Sequence, residues 1–193
     1  MDKKIYIIGG PNGAGKTTFV EHFLPKYIKV TNFVNADEIN KGISPLGSTS
    51  MDIKSGKIML ELIGDYKNRK LSFGFETTLA GKKWLELINE LKSDGYTIYL
   101  FFLDLPSVDL AISRVKLRVK LGGHSIPEDT IRRRYSRARN NFLNIYKNKS
   151  DYWYLFNNSS ETPKLIAAQD KRITQIFDQK YFDEFSNLTK GED

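Results

Sequence analysis

Gly9-Gly10-Pro11-Asn12-Gly13-Ala14-Gly15-Lys16-Thr17-Thr18 is the stretch from which the rest of this chain is read. From Gly10 to Thr17 it fits the spacing G-x-x-x-x-G-K-[ST] in full. It follows a short apolar run, Lys4 to Ile8, that reads as a strand. It opens a helix read over Lys16 to Leu24 and stopped by Pro25. In that setting the glycines let backbone N–H groups turn inward and cradle phosphate oxygens. The helix N-terminus adds its partial positive charge. The residues expected on a nucleotide's phosphates are Gly10, Pro11, Asn12, Gly13, Ala14, Gly15, Lys16, Thr17 and Thr18. Lys16 would reach the β- and γ-phosphates, and the Thr17 hydroxyl would ligate Mg2+. The bland alternative, a glycine-rich turn beside a surface lysine, does not explain the strand before it and the helix after it.

The 193 residues suit one domain, 1–193, and suffice for a full core without disulfides or a structural metal. Cysteine is absent, which excludes a disulfide scaffold, a Cys-type zinc site and thiol catalysis. The two histidines, His22 and His124, lie too far apart in sequence to suggest a metal centre. No apolar run approaches the ~18 residues of a membrane span. The longest, Thr97 to Leu105, is interrupted by Asp104. The N-terminus enters a strand at once, without an apolar leader, so the expected location is cytoplasmic with no membrane partner. Net charge is +7 and the pI about 9.4. Much of the excess lies between Arg114 and Arg139, where only Glu128 and Asp129 oppose the basic residues.

Along the chain, strands and helices alternate. Ile28 to Val34 is β-rich; Asp52 to Lys70 has helical spacing; Leu71 to Phe75 reads as a strand and Lys82 to Ser93 as a helix. Tyr96 to Leu103, apolar almost throughout, reads as a strand buried on both faces. Ser107 to Leu121 is helical and ends at Gly122-Gly123. Ser125-Ile126-Pro127-Glu128 has capping-box spacing and opens a helix to about Lys147. Tyr152 to Phe156 is a last strand, and Leu165 to Phe185 reads as helix. The expectation is an α/β three-layer sandwich of the P-loop NTPase kind, with a five-stranded parallel sheet and a C-terminal helix over about 165–187. Ligands in such sheets lie beyond the carboxyl ends of the strands, so the residues just after each strand are the ones to inspect.

After the second strand comes Asn35-Ala36-Asp37-Glu38. Asp37 can take the proton of an attacking hydroxyl or hold the metal through water; capping a helix is the structural alternative. Phe75-Glu76-Thr77-Thr78-Leu79 follows the third strand, and a carboxylate with two hydroxyls there can bind an acceptor's hydroxyls or simply cap a turn. Asn35, Glu76, Thr77 and Thr78 are therefore the candidate acceptor-binding set. Asp104, after the fourth strand, invites a metal role, but helix capping is the preferred reading. Between 114 and 139, helix, glycine turn and helix with arginines on both arms have the look of a mobile lid in phosphoryl-transfer enzymes. On the second arm Ile131, Tyr135, Ala138 and Phe142 form the apolar stripe; at about 100° per residue Arg134 flanks it and Arg133 is nearly opposite. Arg118 and Arg134 are the first choices for the transferring charge, then Arg114, Arg133 and Arg137. A solvated basic face is the alternative for each. Asn157-Asn158-Ser159 after the last strand is a candidate contact for the nucleotide base, Asn158 in particular, or a polar turn.

Taken together, Gly9 to Thr18, Asn35 to Ile39, Phe75 to Leu79, Arg114 to His124, Ile126 to Glu128, Arg133 to Tyr135 and Asn157 to Ser159 resemble the short bacterial zeta-toxin-like P-loop ATPases. The resemblance spans about residues 4 to 160. It implies a fold like that of nucleotide and shikimate kinases, with Mg-ATP as phosphoryl donor. Zeta toxins phosphorylate a sugar hydroxyl of UDP-N-acetylglucosamine; their catalytic base matches Asp37. Their phosphate-binding arginines match Arg118 and one of Arg133 or Arg134, and their acceptor-side acid matches Glu76. An antitoxin is the protein partner this implies. The chain departs from the family in being shorter than its founding members, and in having Asn157 where Asp sometimes stands.

The leading expectation is thus an ATP-dependent small-molecule kinase with catalytic Lys16, Asp37, Arg118 and Arg134 and a nucleotide-sugar acceptor. Its competitors are a kinase of another small acceptor or of a polynucleotide end, and a nucleotide-gated binding ATPase. Few aromatics interleave with the basic residues, which argues against nucleic acid as the partner.

Overall fold

In the computed structural model, residues 2–43, 50–123 and 125–187 are described, with backbone alone at 50–53. His124, expected at the tip of the lid, lies outside the described residues. Five strands are parallel neighbours: β1 (Lys4–Gly9), β2 (Phe33–Val34), β3 (Phe73–Thr77), β4 (Thr97–Asp104) and β5 (Tyr152–Asn157). Two more, β6 (Lys164–Asp170) and β7 (Ile173–Ile176), add on antiparallel, giving a seven-stranded sheet of order β2-β3-β1-β4-β5-β6-β7.

The helix read over Leu165 to Phe185 is therefore corrected: a hairpin comes first, and only α8 (Gln179–Asn187) is helical. Leu165-Ile166-Ala167-Ala168 suited either structure by propensity. Lys171 makes the hairpin turn in the left-handed region (φ 53) without the glycine or asparagine that usually announces one. The second strand is also shorter than Ile28 to Val34. Ile28 closes a turn onto Leu24 O instead, and Ile28 and Val30 pack half-buried on the core.

Strand alternation divides the core into two faces. On one face Ile5, Ile7, Phe73, Phe75 and Phe102 pack under α3 (Ser50–Asn68), α4 (Trp84–Ser93), the end of α6 (Glu128–Asn141) and α8. Phe102 stacks on Phe142 with ring centroids 4.5 Å apart, a fully buried pair. Burying each such ring contributes roughly 1.5–3 kcal/mol. On the other face Tyr6, Ile8, Phe101 and Leu103 meet α1 (Lys16–His22) and α5 (Val108–Lys120). The stripe expected on α6 is buried throughout, at Ile131, Tyr135, Ala138 and Phe142.

The entry to α6 differs from expectation. Pro127 takes the N-cap and no side chain caps it, so the capping box does not form; Glu128 instead pairs with Lys116 (3.0 Å) and Arg132 (3.3 Å). The helix loosens into a π turn over Phe142–Tyr146 and ends as one short turn, α7 (Lys147–Lys149). Between β2 and α3 lies α2 (Ala36–Ile43). Asp104 does not cap α5: Ser107 does, accepting from the Leu110 N–H at 3.2 Å.

Candidate functional site

The carboxyl ends of β1, β2 and β3 carry the chain's expected chemistry to one place. The P-loop runs from Gly10 to Gly15 and delivers Lys16 and Thr17 at the first turn of α1. The Lys16 ammonium donates to Gly10 O (3.0 Å) and Pro11 O (3.1 Å). Burial lowers its pKa; Glu76 and Asp37 oppose that shift, while Arg118 and Arg134 reinforce it. Charges read from four separate stretches thus act on one ammonium.

Thr17 Oγ1 donates to Glu76 Oε2 at 3.3 Å and accepts from Asn35 Nδ2 at 3.4 Å. Glu76 is pushed up to about 7, chiefly by burial, against the opposing pull of Lys16 and of its hydrogen bond from Thr17. Asn35 Oδ1 also accepts the Asp37 N–H at 2.8 Å, which fixes the first turn of α2 and leaves the Asp37 carboxylate exposed.

Two cavities meet here. One, of about 440 Å³, is lined by the P-loop, Thr18, Phe19, Arg114, Arg118 and Asn158. The other, of about 490 Å³, is lined by Asn35, Thr77, Thr78, Lys83, Trp84 and Arg134, among others. Asn12, Lys16, Asp37 and Glu76 line both.

The wall of the second cavity is rigid for identifiable reasons. Trp84 Nε1 donates to Thr77 Oγ1 at 2.8 Å, and Thr77 and Thr78 each accept a backbone N–H two residues on. Leu79 follows in the left-handed region (φ 56), a strained position for a branched residue. Asn141 holds it there, donating to Leu79 O at 2.8 Å, while Tyr146 donates to Gly81 O at 2.6 Å. The α6 helix that carries Arg134 is thereby tied to the loop that follows Glu76.

Other expected residues land differently. Arg114 donates to Asn158 O (2.7 Å) and Ser159 O (2.8 Å), so it braces the β5 loop while lining the first cavity. Asn158 donates from its amide to Ala14 O at 2.6 Å, tying that loop to the P-loop. A Cβ on Gly15 would sit 2.7 Å from that amide, and Gly15 has φ 79, so both contact and backbone require glycine. Arg133 and Arg137 are exposed and line neither cavity. Arg139, counted with the lid, is buried and pairs with Asp104 at 3.2 Å. Lys83, Ser55 and Thr130 line the second cavity and were missed. Helical spacing on α3 and α6 could have flagged Ser55 and Thr130; nothing marked Lys83.

A zeta toxin family profile matches residues 1–163. An uncharacterized protein of Haemophilus influenzae is 29% identical over 135 residues, covering 70% of this chain and 94% of that protein. Among solved structures, AvrRxo1-ORF1:-ORF2 with ATP superposes with TM-score 0.75 at 14% identity, over 97% of this chain and 64% of that one. The chain thus spans less than two thirds of that neighbour's length. The PezAT toxin-antitoxin system of Streptococcus pneumoniae superposes with TM-score 0.65 at 15% identity, over 99% of this chain and 80% of that one. At these identities the structural likeness speaks for the fold, an α/β P-loop kinase-like architecture. Among the described residues no helix is long and apolar enough to cross a membrane.

Proposed function

The chain belongs to the zeta toxin family, and we propose that it is an ATP-dependent kinase acting on a hydroxyl of a nucleotide sugar such as UDP-N-acetylglucosamine. The observation that carries this reading is the shared wall: Lys16, Asp37 and Glu76 line both cavities, so a donor and an acceptor would meet across them. ATP occupies the first cavity, its phosphates on the P-loop N–H groups and Lys16. The acceptor occupies the second, a size suited to a small ligand. Lys83 and Arg134 on that wall favour an acceptor that carries its own anionic group.

Asp37 takes the acceptor hydroxyl's proton. The freed oxygen forms its bond to the γ-phosphorus as the bond to the β-bridging oxygen breaks, and ADP leaves with that electron pair. Arg118 from the donor side and Arg134 from the acceptor side stabilise the charge in passage. Glu76 and the Thr77 and Thr78 loop orient the acceptor.

The residues present fit Mg2+: Thr17 Oγ1 and the Glu76 and Asp37 carboxylates are hard oxygen donors, able to hold it directly or through water. When bound, the ion neutralises charge on the β- and γ-phosphate oxygens. The family and its toxin-antitoxin neighbours support an antitoxin as protein partner.

The test is incubation with Mg-ATP and a panel of UDP-sugars, nucleosides and RNA ends, following mass, with Lys16→Ala as blank. One phosphate gained by a UDP-sugar, dependent on Lys16, is expected. ADP and inorganic phosphate as sole products would refute the kinase reading.

A further inference from the structure

Asn12 has no structural reason to be asparagine. In a turn, asparagine commonly supplies a left-handed backbone. Here the positive φ positions of the loop belong to Gly10 (147), Gly13 (79) and Gly15 (79), and Asn12 is not among the non-glycine residues with positive φ. Asparagine also caps turns by accepting a backbone N–H two residues on. Asn35 does so for Asp37 at 2.8 Å, and Asn157 for Ser159 at 3.0 Å. For Asn12 the corresponding N–H, that of Ala14, donates to Pro11 O at 3.2 Å instead.

Asn12 is 7% exposed, and its Oδ1 is buried without a hydrogen-bond partner. The other buried asparagines are engaged: Asn141 donates to Leu79 O and Asn158 to Ala14 O. A buried polar atom left unpaired by the fold points to a partner that arrives with the ligand. Asn12 is also the one uncharged member of the set lining both cavities.

We propose that Asn12 is a catalytic residue of the transfer step: its carboxamide bridges the phosphoryl group in passage and the acceptor hydroxyl, and so favours that hydroxyl over water. The inference rests on the kinase reading above. The amide N–H donates to a γ-phosphoryl oxygen without adding to the charge of Lys16 and Arg118. Its oxygen accepts from the attacking hydroxyl but is too weakly basic to compete with Asp37 for the proton. The side chain also fills the junction where a water would otherwise approach the phosphorus. Its neighbour Gly13 cannot take over, because a Cβ there would lie 2.6 Å from Ala111 O.

The experiment compares wild type, Asn12→Ala and Asn12→Asp in three assays. These are transfer from Mg-ATP to the acceptor identified by the panel, Mg-ATP hydrolysis without acceptor, and the Kd of a non-hydrolysable ATP analogue. For Asn12→Ala transfer is expected to fall about 100-fold, the scale of one lost transition-state hydrogen bond. Its analogue Kd is expected to stay within about threefold, and hydrolysis to rise relative to transfer. Asn12→Asp, nearly the same shape but repelling the phosphoryl oxygens, is expected to lose transfer at least as severely. Transfer by Asn12→Ala within about threefold of wild type would overturn the proposal. So would a transfer loss matched by an equal loss of analogue affinity, which would make Asn12 a donor-binding residue only. Failure of the kinase reading is visible separately, since the wild type would then transfer nothing, and the Asn12 role would fall with it.

Discussion

Glu76 is the penultimate residue of β3 and Asp104 ends β4; β1 lies between the two strands, and burial pushes both carboxyls up to about 7. Their neighbours differ because strand parity sends them to opposite faces. Glu76 shares parity with Gly74, on the α1 side, and meets Thr17, Lys16 and both cavities. Asp104 shares parity with Leu100 and Phe102, whose face is covered by α6 and α8. There it is fully buried, 3.2 Å from Arg139 Nε and accepting from the Tyr181 hydroxyl at 2.9 Å. Of these two acids with raised pKa, only Glu76 lies on a face that opens on a cavity.

The sharpest way to break this contrast is to remove each acid. Asp104→Ala strands the Arg139 guanidinium inside the core, where Phe185 lies 4.6 Å from it. Loss of one partner from a buried pair is expected to cost about 3–5 kcal/mol in denaturant unfolding, with analogue affinity of the folded protein unchanged. Replacing Asp104 and Arg139 together by apolar residues should recover most of that loss. Glu76→Gln should show the reverse division. Transfer should fall about 100-fold while unfolding stability holds or rises, because a desolvated carboxylate has been removed. Equal stability losses in the two variants would abolish the distinction.

The pH dependence separates them further. Burial pushes the Asp104 carboxyl up to about 7, well above the usual aspartate range, so the folded state keeps its proton longer than the unfolded chain does. Its stabilising contribution is therefore full below pH ~4 and is lost as pH rises through about 7. Urea unfolding at pH 5 and pH 8 should show a steeper decline for wild type than for Asp104→Asn; parallel declines would mean that Asp104 does not titrate in this window. Smallest in effect, Tyr181→Phe should cost about 1 kcal/mol of stability and leave transfer unchanged.

Sequence made the β3 side legible because each strand-end motif there is followed by its own helix, and the P-loop spacing marks where a phosphate would be expected. The β4 side was harder. Tyr96 to Leu103 is apolar on both faces, so alternation gave no sign of which way Asp104 pointed. Parity counted from Phe102 would not have named its partners either, since Arg139 and Tyr181 are 35 and 77 residues away along the chain and looked like a lid residue and a helix residue. The C-terminal hairpin was hidden for a local reason: Lys171 turns it without a glycine. Lys83 lay at a helix start and carried no motif, yet it lines the second cavity.

The central claim is that a hydroxyl proton leaves to Asp37 where the two cavities meet. Asp37→Ala, assayed for phosphate transfer to the acceptor and for ATP-analogue binding in the same preparation, tests it most directly. The account predicts transfer lowered by about 1,000-fold with analogue affinity nearly intact. Transfer at the wild-type rate would contradict it.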